Sequence, residues 1–378
     1  MKQKKLNICL IEPFYSGSHK KWANEYQKYS SHNIEILSLK GIYWKWRMHG
    51  GAITLADQFN EKYQNQLLPD IILTTDMLNL PLFSSFINKQ IPTITFFHEN
   101  QLTYPWSTND RDKIKNRDHH YGFINYTTAL RSDLIMFNSK FHKNIFIKEL
   151  RKFLKQFPDH NDLYNVDEIE DKSIVSYLGL DLKKFDAYKN NSQNKIPTIL
   201  WNHRWEYDKN PDDFFNCLKK LKKEKIKFKL IILGEEFQTE MQVFTEARDY
   251  FSDEIIHMGY CESFSEYASL LNKADIIPVT TNQEFFGVSV IEAIYCDVYP
   301  LLPNRLTYPE LFDNKKNPEN FYLNSSELFI KLKEYIKNRH KKSLKKYSKE
   351  YDWSVIAKNY DSLMNKIIKQ TIISPKHP

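Results

Sequence analysis

The sequence predicts an α/β protein of two units, each a parallel sheet wrapped by helices. Three observations carry this prediction. Short apolar runs alternate with longer polar segments of helical spacing, the rhythm pauses at the polar stretch "YKNNSQNK" (188–195) and restarts, and 378 residues exceed what one core usually organises. The first series of strands is "LNICLIE", "NIEILSL", "DIILTT", "PTITFF", "DLIMFNS" and "SIVSYL". The second is "PTILWNHR", "FKLIILG", "EIIHMGY", "ADIIPVT" and "VYPLLP". Between its third and fourth members, "SFSEYASLLNKA" opens with a capping box of Ser263 and Glu266 and continues with apolar residues at helical spacing. The expected division is 1–187, 196–350 and a closing segment 351–378. No repeat recurs at a fixed period, and the Lys-rich region 331–349 reads as a solvated helix face.

Composition narrows the function classes. Lys plus Arg is 54 against 47 for Asp plus Glu, a formal charge of +7 that permits a polyanionic partner without requiring one. Cys9, Cys217, Cys261 and Cys296 stand far apart with no C-x-x-C pair, which argues against a zinc site and a disulfide framework and fits a reducing, cytoplasmic setting. The N-terminal "MKQKKLNICLIEPF" is too short in its apolar part for a signal peptide, and no window approaches the length of a membrane-spanning helix. No Asp-x-Asp, H-E-x-x-H or nucleophile elbow is present, so no metal ligand is assigned and no metal or other cofactor is expected. No motif sets an oligomeric state.

In the second unit, "TNQEFFGVSVIEAIYCD" (281–297) follows the predicted strand "ADIIPVT". Ligands collect beyond the carboxyl ends of parallel strands, where loops run into helix N-termini. Glu284 falls in that loop, Gly287 permits close approach to the backbone, and the amides of Phe286, Gly287 and Val288 suit a phosphate. Glu292, more than a turn into the helix, would reach hydroxyls of the same ligand. Acids for hydroxyls and amides for phosphate describe a sugar nucleotide; the alternative is a solvent-facing loop Glu and a helix Glu paired with Lys. "WNHRWEYDKNP" (201–211) places Arg204 and Lys209 at the same edge, where two cations suit a leaving diphosphate. The alternative there is surface pairing with Glu206 and Asp208. Gly234 and Tyr260, in the loops after the two neighbouring strands, are placed to hold a nucleobase.

Three clusters end strands in the first unit. "EPFYSGSHKKW" (12–22) brings Gly17 and two serines to the first turn, but lacks G-x-G-x-x-G, so an ordinary dinucleotide site is not supported. "FFHENQLTYPW" (96–106) sets His98, Glu99, Asn100 and Gln101 after a buried strand, and "FNSKFHK" (137–143) adds Asn138, Ser139 and Lys140. The segment "GIYWKWRMHGG" (41–51), with Trp44, Trp46 and Arg47, is either a stacking surface for unpaired bases or a packed loop with two Trp anchors. With His119, His120 and Tyr121, it makes a nucleic-acid acceptor credible.

The residues Glu284 and Glu292, the "FFG" between them, Arg204 and Lys209 resemble the retaining nucleotide-sugar glycosyltransferases of family 4. A narrower likeness spans nearly the whole chain. "IEPFYSGSHK", "KWRMHGGA", "MLNL", "FHENQLTYP", "YGFINYTTAL", "FNSKFH", "FPDH", "HRWEYDKNP", "EFFGVSVIEAIYCDVYPLLP" and "YPELF" resemble the tRNA-queuosine mannosyltransferase family, also called the glycosyltransferase-like domain-containing proteins. The resemblance implies the GT-B fold, with two domains facing a cleft and a last helix crossing back to the first domain; "YDWSVIAKNYDSLMNKIIK" (351–369) suits that helix. It implies GDP-mannose as donor and the cyclopentenediol of queuosine in tRNA(Asp) as acceptor. On this likeness Glu284 meets donor sugar hydroxyls, Glu292 the ribose, and Arg204 and Lys209 the diphosphate. Phe285, Phe286, Gly287 and Val288 line the donor, Gly17 faces its phosphates, and His98 stands near the reacting sugar. Trp44, Trp46, Arg47, Glu99, Asn100, His119, Tyr121, Asn138 and Lys140 form the expected acceptor side. Rival expectations are a related transferase acting on a lipid or polysaccharide at a membrane surface, and a non-catalytic tRNA-binding protein.

Overall fold

Buried apolar runs of four to six residues have no polar face to show to water, so they assemble into parallel sheets covered on both sides. The computed structural model describes residues 4–87, 89–105, 110–115, 119–189, 194–234, 241–339 and 343–373. It divides into two units, Met1–Leu180 with Trp353–Pro378, and Asp181–Asp352. In the first, the strands are β1 (Asn7–Tyr15), β2 (Asn33–Lys40), β3 (Ile71–Thr75), β4 (Thr93–Phe97), β5 (Leu134–Phe137) and β6 (Ser173–Val175). Their order in the sheet is β2-β1-β3-β4-β5-β6, all parallel, with Leu10 of β1 opposite Ile36 on one side and Leu73 on the other. The chain therefore reverses its direction of growth between β1 and β3. A crevice opens there beyond the strand ends, at Glu12–Tyr15 and at Thr75–Asp76.

The last helix, Trp353–Ile373, belongs to this unit. Trp353 stacks on Tyr26 and Tyr29 of helix Gly17–Tyr29, with centroids 6.0 and 6.3 Å apart, and donates from Nε1 to Glu25 at 2.6 Å. Asp361 accepts from Tyr26, Ser30 and Ser31. Gly179 admits the Trp353 ring, since a Cβ there would lie 2.3 Å from it.

The second unit contains β7 (Thr198–Asn202), β8 (Lys229–Leu233), β9 (Ile255–Gly259), β10 (Ile276–Pro278), β11 (Tyr299–Pro303) and β12 (Phe321–Tyr322), ordered β12-β11-β10-β7-β8-β9. β12, only two residues long, is the member that apolar patterning misses. The reversal here lies between β7 and β10, paired at Ile199 and Ile276. Residues 181–189 pack on this unit: Phe185 lies against Phe264 and Tyr295, and Tyr295 donates to Asp186 at 2.9 Å. Residues 188–189 and 194–195 of the polar stretch thus belong to the second unit, and 190–193 lie outside the described residues. The Lys-rich region is not one solvated face, because helix Ser325–Asn338 buries Leu332, Tyr335 and Ile336, and a separate short helix covers Lys345–Ser348; residues 340–342 lie outside the described residues. No described helix is long and apolar enough to cross a membrane.

Candidate functional site

In the second unit the two loops singled out in the sequence leave adjacent strands at the reversal point. After β7 the chain runs through His203–Glu206, a 3-10 turn Tyr207–Lys209, and Asn210 in the left-handed region at φ 53°, which caps helix Pro211–Lys223. After β10 it runs from Val279 to Gly287, where φ is 87°, and enters helix Val288–Tyr295. Hydrogen bonds stitch the loops together. The amide of Asn282 donates to the Asp208 carbonyl at 2.8 Å, and the Thr280 hydroxyl donates to the carbonyls of Lys209 and Asn210. Arg305, which sequence reasoning missed, braces the second loop through the carbonyls of Thr280 and Thr281 and the side chain of Asn282.

Lys209 is buried within this knot. Its ammonium lies 3.0 Å from Asp208 and 3.4 Å from Glu284, and donates to the Gln283 carbonyl at 3.1 Å. Burial opposes the charge, yet Glu284 and Asp208 hold the lysine above its ordinary range. Glu284 moves the other way: burial would raise it, but Lys209 and a backbone amide hold it below the usual carboxylate range. Surface pairing therefore describes only part of the arrangement. Arg204 does pair with Glu206 at 3.0 Å on a half-exposed side chain, and Lys209 does meet Asp208, but Lys209 and Glu284 form a fixed, largely buried ion pair.

The amides near Gly287 divide. Those of Phe285 and Phe286 donate to Oε1 of Glu284 at 3.1 and 3.3 Å, so the Phe286 amide is not open to a phosphate as the sequence suggested. The carboxylate turns back on its own loop because it lies beside two N–H groups that precede the helix. The amides of Gly287, Val288 and Ser289 find no acceptor among the described residues. Both Phe285 and Phe286 are buried, and Phe286 packs edge-on against Tyr351, so they shape the loop from behind. A Cβ on Gly287 would lie 3.3 Å from Tyr308 and 3.6 Å from Glu284. Glu292 is buried one helical turn onward and accepts from the Tyr267 hydroxyl at 2.8 Å, which itself accepts from Asn202 at the end of β7. His203 is buried at the same edge with Nε2 unpaired, driven down to about 3 by burial and by Lys209. Gly234, at φ 146°, presses its backbone against the His203 carbonyl and the Trp205 ring, and Tyr260 stands exposed beyond β9.

The first unit gathers a different chemistry at its own reversal point. Glu12 at the end of β1 accepts from the Phe14 amide at 2.8 Å and pairs with Nδ1 of His19 at 3.0 Å. Asp76, directly after β3, accepts from the His98 amide at 2.8 Å and is fully buried, which pushes its carboxyl up to about 8. His98 is also held through its carbonyl, which accepts from Asn138, and Asn138 in turn meets Nδ1 of His142 at 2.8 Å. Its Nε2 is buried without a partner. Asn100 accepts from Thr103 and Glu99 accepts from Gln101, so both order the loop after β4; Trp106 lies outside the described residues. Gly17, at φ 49°, has open space where a Cβ would stand. Glu12, His19 and Asp76 were not singled out from the sequence, although the first two lie within the quoted "EPFYSGSHKKW" and Asp76 ends the run "DIILTT" as His98 ends "PTITFF".

The aromatic segment is the first turn of helix Trp44–Tyr63 rather than a loop, and it splits between the two readings. Trp44 packs on Tyr121 at 5.1 Å, beside buried Met48 and Met77. Trp46 is 65% exposed and Tyr43, in the left-handed region at φ 54°, is 76% exposed. The Arg47 guanidinium donates to the Lys40 carbonyl, Tyr121 donates to Asp112, and Lys45 is held by Asp110 and Asp112. His119 lies exposed against Phe153, and Lys140 is exposed on helix Lys140–Leu154. Among the described residues, two groups of His, Cys, Asp or Glu bring three ligand atoms within 4.8 Å of one another, namely Glu12, His19 and His98, and His257, Cys261 and Glu266. The first is an ion pair with a second imidazole tilted against it, because Glu12 already holds Nδ1 of His19.

Comparison with known proteins agrees with this two-part layout. Residues 7–180 match the family model described as tRNA-queuosine alpha-mannosyltransferase N-terminal, and residues 183–351 match that of glycosyl transferases group 1. A tRNA-queuosine alpha-mannosyltransferase of Drosophila melanogaster is 32% identical over 339 residues, covering 87% of this chain and 86% of its own. Among solved structures, a sucrose-phosphate synthase from Thermosynechococcus elongatus superposes with a TM-score of 0.70 at 12% identity, over 97% of this chain and all of that one. A glycosyltransferase from Rickettsia africae does so with 0.66 at 17%, over 97% and 99%. These structural likenesses establish the GT-B fold, and the sequence matches establish more: this chain is a glycosyltransferase and belongs to the tRNA-queuosine alpha-mannosyltransferase family.

Proposed function

We propose that the protein transfers mannose from GDP-mannose to the cyclopentenediol of queuosine in tRNA(Asp), with retention of anomeric configuration, in the cytoplasm and without a metal ion. The observation that carries the donor half is the stitched pair of loops at the β7/β10 reversal, where the Lys209–Glu284 pair stands beside open amides at a helix start. In this reading Arg204, Lys209 and the amides of Gly287 to Ser289 stabilise charge on the diphosphate as the glycosidic bond breaks. Lys209 is well suited because Glu284 and Asp208 already fix its position, so little reorganisation is needed. Glu284 orients sugar hydroxyls, and Glu292, held by Tyr267, meets the ribose. The acceptor hydroxyl attacks the anomeric carbon from the face that the diphosphate leaves, and its proton passes to the departing phosphate oxygen. His98 stands near the reacting sugar, with Asn138 and Asp76 fixing its backbone. The acceptor half is supported by the family of the first unit and by the exposed Tyr43 and Trp46.

The test is incubation with GDP-mannose and tRNA with or without queuosine, followed by digestion and nucleoside mass analysis. A hexose added only to the queuosine nucleoside is expected. Donor hydrolysis without that gain would discard the acceptor and retain the transferase, and a gain from another sugar nucleotide in a donor panel would replace GDP-mannose.

A further inference from the structure

The fold does not require a buried ion pair at the end of β1. Moving two charges out of water usually offsets what their attraction contributes, so a buried pair adds little stability. Here the pair touches another titratable ring. The His19 ring lies 4.3 Å from the His98 ring at 40°, while Trp22 and Phe96 wall His98 edge-on at 4.8 Å each. Both backbone polar groups of His98 are tied down, to Asp76 and Asn138. Both oxygens of Glu12 are engaged, one by His19 and one by the Phe14 amide. His98 is therefore held through its backbone and flanked by three rings, with Nε2 unpaired.

We propose that Glu12 and His19 are positioning residues for His98: Glu12 holds Nδ1 of His19, and the His19 ring, packed 4.3 Å from the His98 ring, fixes that imidazole so that its Nε2 is reserved as an acceptor for a substrate hydroxyl. The titratable groups around the His19–His98 pair are Glu12 on β1, Asp76 after β3 and Glu99 after β4, which act on His19, and His142 on helix Lys140–Leu154, which acts on His98. His142 is held neutral by burial, which leaves His19 as the one cation among them. Burial opposes the charge of His19, and Glu12 more than restores it, raising the group to about 9. Burial and the His19 charge together hold His98 far below its ordinary range. Without His19 only burial still opposes protonation of His98, while Glu12, within 4.8 Å and deprived of its partner, favours it. Neutrality matters because a cationic imidazole has no lone pair with which to accept a hydrogen bond from a hydroxyl.

This inference rests on the reading of His98 as the residue beside the reacting sugar, but its test does not need turnover. Full-length protein with 15N-labelled histidine is titrated by NMR from pH 5.5 to 8.5, with the His98 signals assigned by their loss in His98→Gln. The unaltered protein should show His98 neutral throughout and His19 doubly protonated over most of the range. In His19→Gln, His98 should begin to titrate within the window, and the kcat/KM profile for transfer should gain an acidic limb falling tenfold per pH unit. Glu12→Gln should move His98 in the same direction by a smaller amount, and it carries the test if His19→Gln does not fold. The proposal is overturned if His98 titrates in the unaltered protein, or if it stays neutral in a folded variant lacking the His19 charge.

Discussion

Replacing Lys209 by Met keeps an apolar side chain of similar length and deletes one cation. The side chain is only 10% exposed, and its ammonium lies 3.0 and 3.4 Å from two carboxylates, with a carbonyl at 3.1 Å. After substitution Asp208 and Glu284 face each other's field without a counter-charge, and removing one partner of a buried pair costs about 3 to 5 kcal/mol. The lower end is expected, because Glu284 keeps its two backbone amides and remains partly solvated. Hydrogen exchange of the β7 and β10 amides under native conditions reads the second unit alone and should show that loss. The decisive comparison is the cycle of Lys209→Met, Glu284→Gln and the double variant. If the two side chains stabilise one another, the double variant is more stable than the sum of the singles by about 1 to 3 kcal/mol. Additive losses would refute the pairing, and with it the claim that Lys209 is held in place before a donor arrives.

Arg204→Ala should behave in the opposite way, since its ion pair with Glu206 is half exposed: stability changes by less than about 1 kcal/mol, while turnover falls about 100- to 1,000-fold as for loss of a transition-state donor, and unchanged turnover would remove its assigned role. Gly287→Ala forces a Cβ into the left-handed region at φ 87° against Tyr308, with strain of about 1 to 2 kcal/mol, and should raise the KM for the sugar nucleotide; an unaltered KM would mean that the helix start does not meet the donor. Trp46→Ala should weaken binding of queuosine-containing tRNA by about 1 to 3 kcal/mol with little effect on folding, whereas Trp44→Ala should unsettle helix Trp44–Tyr63; equal effects would contradict the division between exposed and packed rings. Stability of the first unit should decline as pH rises. His19 is raised from an ordinary 6.5 to about 9, so its contribution, about 3 kcal/mol, is complete below 6.5 and lost as pH passes 9; Asp76, raised from 3.8 to about 8, acts in the same direction. Hydrogen exchange in β1 and β3 that is flat from pH 6 to 9.5, after allowance for intrinsic exchange rates, would refute this.

Apolar runs revealed eleven of the twelve strands among the described residues, because the central strands are covered on both faces and are mostly apolar, and the edge strands β2 and β9 keep enough apolar positions to show. β12 escaped since two residues make no pattern. The loops carrying Lys209 and Glu284 were legible because a cation or acid just beyond a strand end has few structural reasons to be there. Their direct pairing was not legible: nothing in the spacing of 209 and 284 says that β7 and β10 are neighbours, which is a matter of sheet order. For the same reason Glu12, His19 and Asp76 looked unconnected to His98, although strand order brings all four to one crevice. The direction of a side chain was hardest to read. Glu284 satisfies its own loop amides, and Trp44 turns inward while Trp46, two residues on, turns outward.

The first unit is split in sequence, and this sets the order in which it can be completed during synthesis. Trp353 and Asp361, which meet Tyr26, Ser30 and Ser31, are not available until the whole of 181–352 has been made. At about 5 to 20 residues per second, that interval is on the order of 10 to 35 s. During it the helix that carries His19 lacks the clamp at its far end, whereas the second unit, continuous in the chain, can close first. A nascent chain stalled before Trp353 should therefore hold a finished second unit and an unfinished first one, with the helix that carries His19 among the last elements to settle.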